Sequence, residues 1–152
     1  MAVKSAPGVR ARCHYQAYPD GAVVPDSSCT PGALNPAAVA DPRRTICVSG
    51  YSARIRPATS YTEPLKIRGM VRYASIGPPS SYEEDHLVAL EDGGSPRDPN
   101  NLWPEYLYDG GGALQKDKVE HHLHELICAG RITVVAAARL LETDWKRPVS
   151  GR

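Results

Sequence analysis

The sequence predicts an α+β domain: a strand, a loop, a second strand and a helix in succession, with further helices around them and an irregular N-terminal arm tied down by disulfides. Three observations carry that prediction. Residues 82–91, YEEDHLVALE, and 101–103, NLW, are strand-like runs flanking the turn-rich DGGSPRDPN. Residues 114–128 and 133–145 place apolar side chains at helical spacing. Fourteen Pro and thirteen Gly among 152 residues, with no Phe, hold regular structure to a modest share of a chain long enough for one core.

Taken in order, residues 1–44 are rich in Pro, Ala, Gly and Ser with little apolar periodicity, and read as an arm wrapped on the core. Residues 45–152 form the single remaining domain. TICVSGYSARIRP alternates in part and reads as a short strand broken at Gly50. From Thr59 to Tyr73 a helix fits, with Thr62 as cap, Pro64 in the first turn, and Leu65, Met70 and Val71 on one face. In the first hairpin strand His86, Val88 and Leu90 alternate against Leu87 and Ala89. The helix from Leu114 to Cys128 carries Val119, Leu123, Leu126 and Ile127 on one face and ends at Gly130. The last helix opens at Thr133 and buries Val134, Ala137, Leu141 and Trp145.

Charge is uneven. Residues 1–80 carry ten Lys and Arg against four acids, and residues 81–152 eight against thirteen. A basic wall beside an acidic pocket suits a polyanion that meets a cation where it is cut, while ordinary solvated surface explains the counts equally well. No apolar run approaches the roughly 20 residues needed to span a bilayer, so no membrane span is expected, and no protein partner is implied.

Cys13, Cys29, Cys47 and Cys128 contain no CxxC pair that would suggest zinc. An even count in a loop-rich chain favours two disulfides. Three pairings are open, of which Cys13 with Cys29 and Cys47 with Cys128 is preferred. Disulfides point to an extracytoplasmic, secreted location, whereas free thiols would mean a cytoplasmic one. The opening MAVKSAPGVRAR lacks a signal-peptide apolar core, so export carries the expectation of a leader removed from this chain.

The chemistry is concentrated between Tyr82 and Glu105. Phosphodiester hydrolysis needs a water activated for attack and a cation to take charge from the leaving oxygen. A hard ion such as Mg²⁺ accepts one or two protein oxygens, with Mn²⁺, Ca²⁺ and Zn²⁺ as alternatives. Asp85 and the side-chain oxygen of Asn101 are the candidate ligands, and His86 the candidate base. Neighbours on a regular strand face opposite ways, so Asp85 and His86 serve one site only where the strand bends or ends. The imidazole also needs an acceptor to fix its tautomer, and a turn carbonyl can supply one.

These residues resemble the HNH, or ββα-metal, nucleases, whose motif runs D-H-[IL]-x-P, a GG turn, N-L and a helix. Asp85, His86 and Leu87 match the first block, Gly93 and Gly94 the turn, Asn101 and Leu102 the third. The match covers about residues 82–128, the expected ββα-metal core. Over Cys29 to Trp145 the chain is also similar to small, often exported bacterial HNH-like proteins with CTPG, TICVSGY, YEEDHL, GG, NLWPE and KDKVE blocks. The resemblance implies Asp85 as metal ligand, His86 as general base, and Asn101 as second ligand or hairpin brace.

Two positions depart from the pattern. Ala89 stands where the family has proline, and the family's last His or Asn has no counterpart among Ala113, Leu114 and Gln115. Gln115, Asp117 or His121 are the candidates to complete the ion's shell. His121, His122 and His124 otherwise read as a solvated helix face, and Trp103 as a core anchor. Arg43, Arg44, Arg54, Arg56, Arg68 and Arg72 are candidate phosphate contacts, with Lys116 and Lys118 as further ones. The expected activity is a metal-dependent endonuclease acting on DNA, or RNA, with low sequence specificity. The rival expectations are an inactive HNH-like binding or structural module at the cell surface and a hydrolase of another substrate.

Overall fold

Two disulfides and two antiparallel ribbons organise the chain, as a computed structural model describing residues 11–149 shows. Residues 1–10 of the expected arm and 150–152 lie outside the described part. In order, the elements are β1 (Gln16–Ala17), β2 (Val23–Val24), α1 (Pro36–Ala40), α2 (Tyr51–Ile55), α3 (Thr59–Tyr73), β3 (Tyr82–His86), β4 (Leu102–Tyr106), α4 (Ala113–Cys128) and α5 (Val134–Leu141). The α+β class holds.

The described part of the arm has more structure than its composition suggested. A tight turn pairs Gln16 with Val24 and Ala17 with Val23, and the Asn35 side chain caps α1 by accepting from the Ala37 amide. Ala22, Val24, Ala38 and Ile46 join Val88, Leu123, Leu141 and Trp145 in one apolar core. The Trp145 indole donates to the Val23 carbonyl at 2.9 Å. Cys13 is bonded to Cys29, and Cys47 to Cys128, so the second bridge ties this layer to α4.

Residues 45–57 do not form the expected strand. A 3-10 turn over Pro42–Arg44 is followed by α2, which starts from Gly50 in a left-handed conformation at φ +84°. Arg56 precedes Pro57 and is extended, which ends α2 at Ile55. Helix α3 then begins at Thr59, as predicted, but Ala58 and not Thr62 occupies its N-cap. Pro64 therefore lies inside the helix, where it and Ser60 are exposed and water can serve the carbonyl that loses its donor. The buried stripe is Lys66, Met70 and Tyr73, and Val71 faces solvent. Gly69 permits close approach to the hairpin, since a methyl there would lie 2.9 Å from Pro104 Cδ.

The hairpin pairs Glu83 with Glu105, Asp85 with Trp103 and His86 with Leu102. The first strand ends at His86, well short of Glu91. Leu87, Val88, Ala89 and Leu90 are all buried, a pattern that alternation cannot satisfy on a two-stranded ribbon. They turn inward instead, and the connection runs through two 3-10 turns, Leu90–Asp92 and Pro99–Asn101. Gly93 and Gly94 do not make a tight hairpin turn. Gly93 is left-handed at φ +98°, and a methyl on Gly94 would fall 1.8 Å from the Val88 carbonyl oxygen.

Helix α4 and the start of α5 follow the sequence reading within a residue, but α5 ends at Leu141, so Trp145 reaches the core from the turn beyond the helix. Gly130, at φ +74°, terminates α4 by donating to the Ile127 carbonyl, and Thr133 caps α5 through the Ala136 amide. Beyond Leu123 and Ile127, the buried face of α4 includes Lys116 and Glu120, while Val119 and Leu126 are half-buried.

Candidate functional site

Because β3 stops at His86, Asp85 and His86 both reach one cavity of about 390 Å³, bordered also by Arg56, Glu83, Asp117 and Glu120. The walls come from the end of α2, the start of the inward loop and the second turn of α4. Strand termination thus removes the obstacle that alternation posed.

His86 is 6% exposed, and its Nε2 lies 2.9 Å from the Pro96 carbonyl oxygen. A carbonyl only accepts, so Nε2 carries the proton and Nδ1 is left with its lone pair. Burial holds the imidazole pKa below its ordinary value, against the opposing pull of Pro96 and Asp85. The neutral form of the His86 imidazole is the one this setting favours.

Asp85 sits on the face of the hairpin turned to α4. Burial alone would raise its pKa, but the Lys116 ammonium 2.7 Å away outweighs burial and holds the carboxyl below its usual range. Lys116 also donates to the His86 carbonyl at 3.3 Å and lies 3.8 Å from Glu120. It has no exposed side-chain surface. The expectation that Lys116 contacts phosphate is corrected on that ground: it is an internal counter-ion.

Around this pair the acids outnumber the cation. Glu83 and Asp85 are two apart on β3 and Glu105 faces Glu83 across the ribbon, so all three share one side. Their nearest carboxylate oxygens lie within 4.8 Å of one another. Burial and Asp85 push Glu83 up to about 8, and Glu105 and Glu120 are also raised, burial being the first cause in each.

Asn101 is completely buried and its amide is fully engaged. Its Oδ1 accepts from the Val88 amide at 3.0 Å and the Ala33 amide at 3.4 Å, while Nδ2 donates to the Val88 and Ser95 carbonyls at 3.0 Å each. With both lone pairs used, the residue braces the loop and offers no oxygen to an ion. Of the other ligand candidates, Asp117 borders the cavity, Gln115 is exposed, and His121 faces solvent near Glu91 and Glu125 at 3.7 and 3.6 Å. His124 donates from Nδ1 to the Glu91 carbonyl at 2.6 Å.

The candidate phosphate contacts are spread out. Arg56 borders the cavity, Arg54 lies over the Tyr51 ring, and Arg68 and Arg72 line a separate groove with Glu84 and Pro104. Arg43, Arg44 and Lys118 are exposed. The sequence reading missed Glu83, Glu105 and Glu120. Glu83 and Glu120 had a signal in the spacing of Glu83 to Asp85 and of Lys116 to Glu120, the same-face periods of a strand and a helix, whereas Glu105 had none in any short window.

No family model matches the chain, and no curated protein or solved structure does either. Fold class and site geometry therefore stand by themselves.

Proposed function

We propose that this chain is a metal-dependent endonuclease of the HNH, or ββα-metal, kind, hydrolysing phosphodiester bonds of DNA, or RNA, with low sequence preference. The observation that carries the reading is the pairing of a neutral, oriented imidazole and a buried carboxylate on one cavity at the end of a strand backed by α4. His86 Nδ1 takes a proton from water as the water oxygen bonds to phosphorus. The P–O3′ bond breaks, the 3′ oxygen leaves and is protonated from solvent, and a 5′ phosphate remains. Arg56 lines the cavity, and in this reading its guanidinium would pair with a phosphate oxygen.

The donor set around Asp85 fits a hard cation, because it is built of carboxylates and Glu105 keeps two buried oxygens without partners. Such an ion, Mg²⁺ above the others, would neutralise charge on the leaving oxygen. The two disulfides are of the kind kept in oxidising, extracytoplasmic settings, and no helix among the described residues is long and apolar enough to cross a membrane.

A second reading has its own observation. Lys116 already neutralises Asp85, as befits an HNH-like fold kept as an inactive binding or structural module at the cell surface. One panel separates the two: supercoiled plasmid incubated with Mg²⁺, Mn²⁺, Ca²⁺, Zn²⁺ or chelator, using wild type and His86→Ala. Cation-dependent nicking lost in His86→Ala supports the nuclease. No nicking under any cation supports the module.

A further inference from the structure

We infer that Glu83, Asp85 and Glu105 form a binding site for one hard divalent cation on the α4-facing side of the hairpin, with Asn101 outside it. The nuclease reading is needed only for what the ion would do there; the site is argued from the fold.

Cross-strand pairing puts Glu83 directly opposite Glu105, and two carboxylates so placed can ionise together only where a cation compensates. Asp85, two residues along β3, adds a third carboxylate to the same side. One oxygen from each lies within 4.8 Å of the others, a spread that oxygens sharing an ion at about 2.0–2.6 Å can adopt.

Glu105 supplies the second, independent observation. It is 2% exposed, and as a carboxylate neither of its oxygens has a hydrogen-bond donor; a proton shared with Asp85 is the alternative that an ion would displace. Buried polar atoms without partners are rare because their desolvation goes uncompensated, and an ion is one of the standard remedies. The one buried ammonium close by does not supply it: Lys116 Nζ is committed to Asp85 Oδ2 and the His86 carbonyl. Oxygen-only donors select Mg²⁺, Mn²⁺ or Ca²⁺ over ions that prefer nitrogen or sulfur.

Trp103 pairs with Asp85 across the ribbon, so a lanthanide in the Ca²⁺ role would sit near an indole able to sensitise its emission. The test is a Tb³⁺ luminescence titration with Mn²⁺ and Mg²⁺ competition, backed by Mn²⁺ calorimetry, on wild type, Glu105→Gln, Glu83→Gln and His86→Ala, each checked by circular dichroism. Expected are saturable emission in wild type, competition by both ions, affinity reduced at least tenfold in each glutamine variant, and unchanged binding in His86→Ala. If Glu105→Gln fails to fold, Glu83→Gln, at a half-buried position, decides. Binding as tight as wild type in the folded glutamine variants, or neither emission nor heat in wild type, overturns the site. Saturable binding without plasmid cleavage keeps the site and sinks the nuclease; cleavage unaffected by Glu105→Gln does the reverse.

Discussion

Lys116 Nζ lies 2.7 Å from Asp85 Oδ2, with no exposed surface on the lysine side chain and 11% on the aspartate. Burial works against an ammonium, yet Asp85, Glu120 and Glu105 together raise the Lys116 pKa above its ordinary value. The lysine is the internal cation that lets an acidic hairpin face pack against α4. Removing one partner of a buried pair leaves the other uncompensated, at a cost of about 3–5 kcal/mol. Lys116→Met should lose that much in urea unfolding, and adding Asp85→Asn should restore part of it. A loss below about 1 kcal/mol in Lys116→Met would show the pair to be incidental.

His86 should set the acid limb of any hydrolysis. Its pKa is held below the ordinary 6.5, so the basic form persists into more acidic solution than a free histidine would allow. Arg56 is one of the groups lowering it, and Arg56→Gln should move the limb to higher pH. His86→Ala should reduce the rate by about 10²–10⁴. A limb at or above the ordinary histidine value in wild type would contradict the buried, carbonyl-bound imidazole.

Glu84 makes stability fall with rising pH. Burial, then Asp85, pushes its pKa from 4.5 to about 8. Between those values the folded state holds a proton that the unfolded state has released, so stability is full below about pH 4.5 and declines as pH rises through about 8. Melting temperature followed from pH 5 to 9 should drop, and Glu84→Gln should flatten the curve. The slope left in that variant belongs to Glu83, raised to about 8, and to Asp92, Glu105 and Glu120, which burial also raises.

The parts of the fold legible in the sequence are those set by local rules. Helices α3, α4 and α5 were visible through apolar period and through Thr133 and Gly130, and two turn-separated strands through composition. The inward loop was not, because the buried run Leu87–Leu90 reads as strand continuation unless Asn101 is known to hold it. Asp85 and His86 were found as a pair, since a single dipeptide carries both. Glu105 was passed over and Lys116 was given a phosphate-contact role, because the part each plays arises from pairing across the ribbon and packing of α4, which no short window contains. A lysine on a helix reads as surface until its partner is seen.

The disulfides should differ in what they contribute. Cys13–Cys29 closes 16 residues of sequence separation and Cys47–Cys128 closes 81. Chain entropy assigns about 3 kcal/mol to the shorter loop and about 4.5 kcal/mol to the longer. The double serine variant at Cys47 and Cys128 should therefore melt lower than the one at Cys13 and Cys29. The opposite order would mean that the N-terminal layer, and not its attachment to α4, limits stability.

Asn101 distinguishes a brace from a ligand. As a brace, it needs two donors for the Val88 and Ser95 carbonyls and two lone pairs for the Val88 and Ala33 amides. Asn101→Asp keeps the shape but turns the donors into acceptors facing those carbonyls, which should cost about 3 kcal/mol or more whether or not a cation is present. Gly94→Ala should act on the same brace, since its methyl would meet the Val88 oxygen at 1.8 Å and Asn101 Nδ2 at 2.9 Å. A ligand predicts the reverse, because a carboxylate holds a hard ion better than an amide does. Urea unfolding of Asn101→Asp with and without Mn²⁺ reads the difference: an equal loss in both conditions fits the brace, and a loss that Mn²⁺ erases would return Asn101 to the ion's shell.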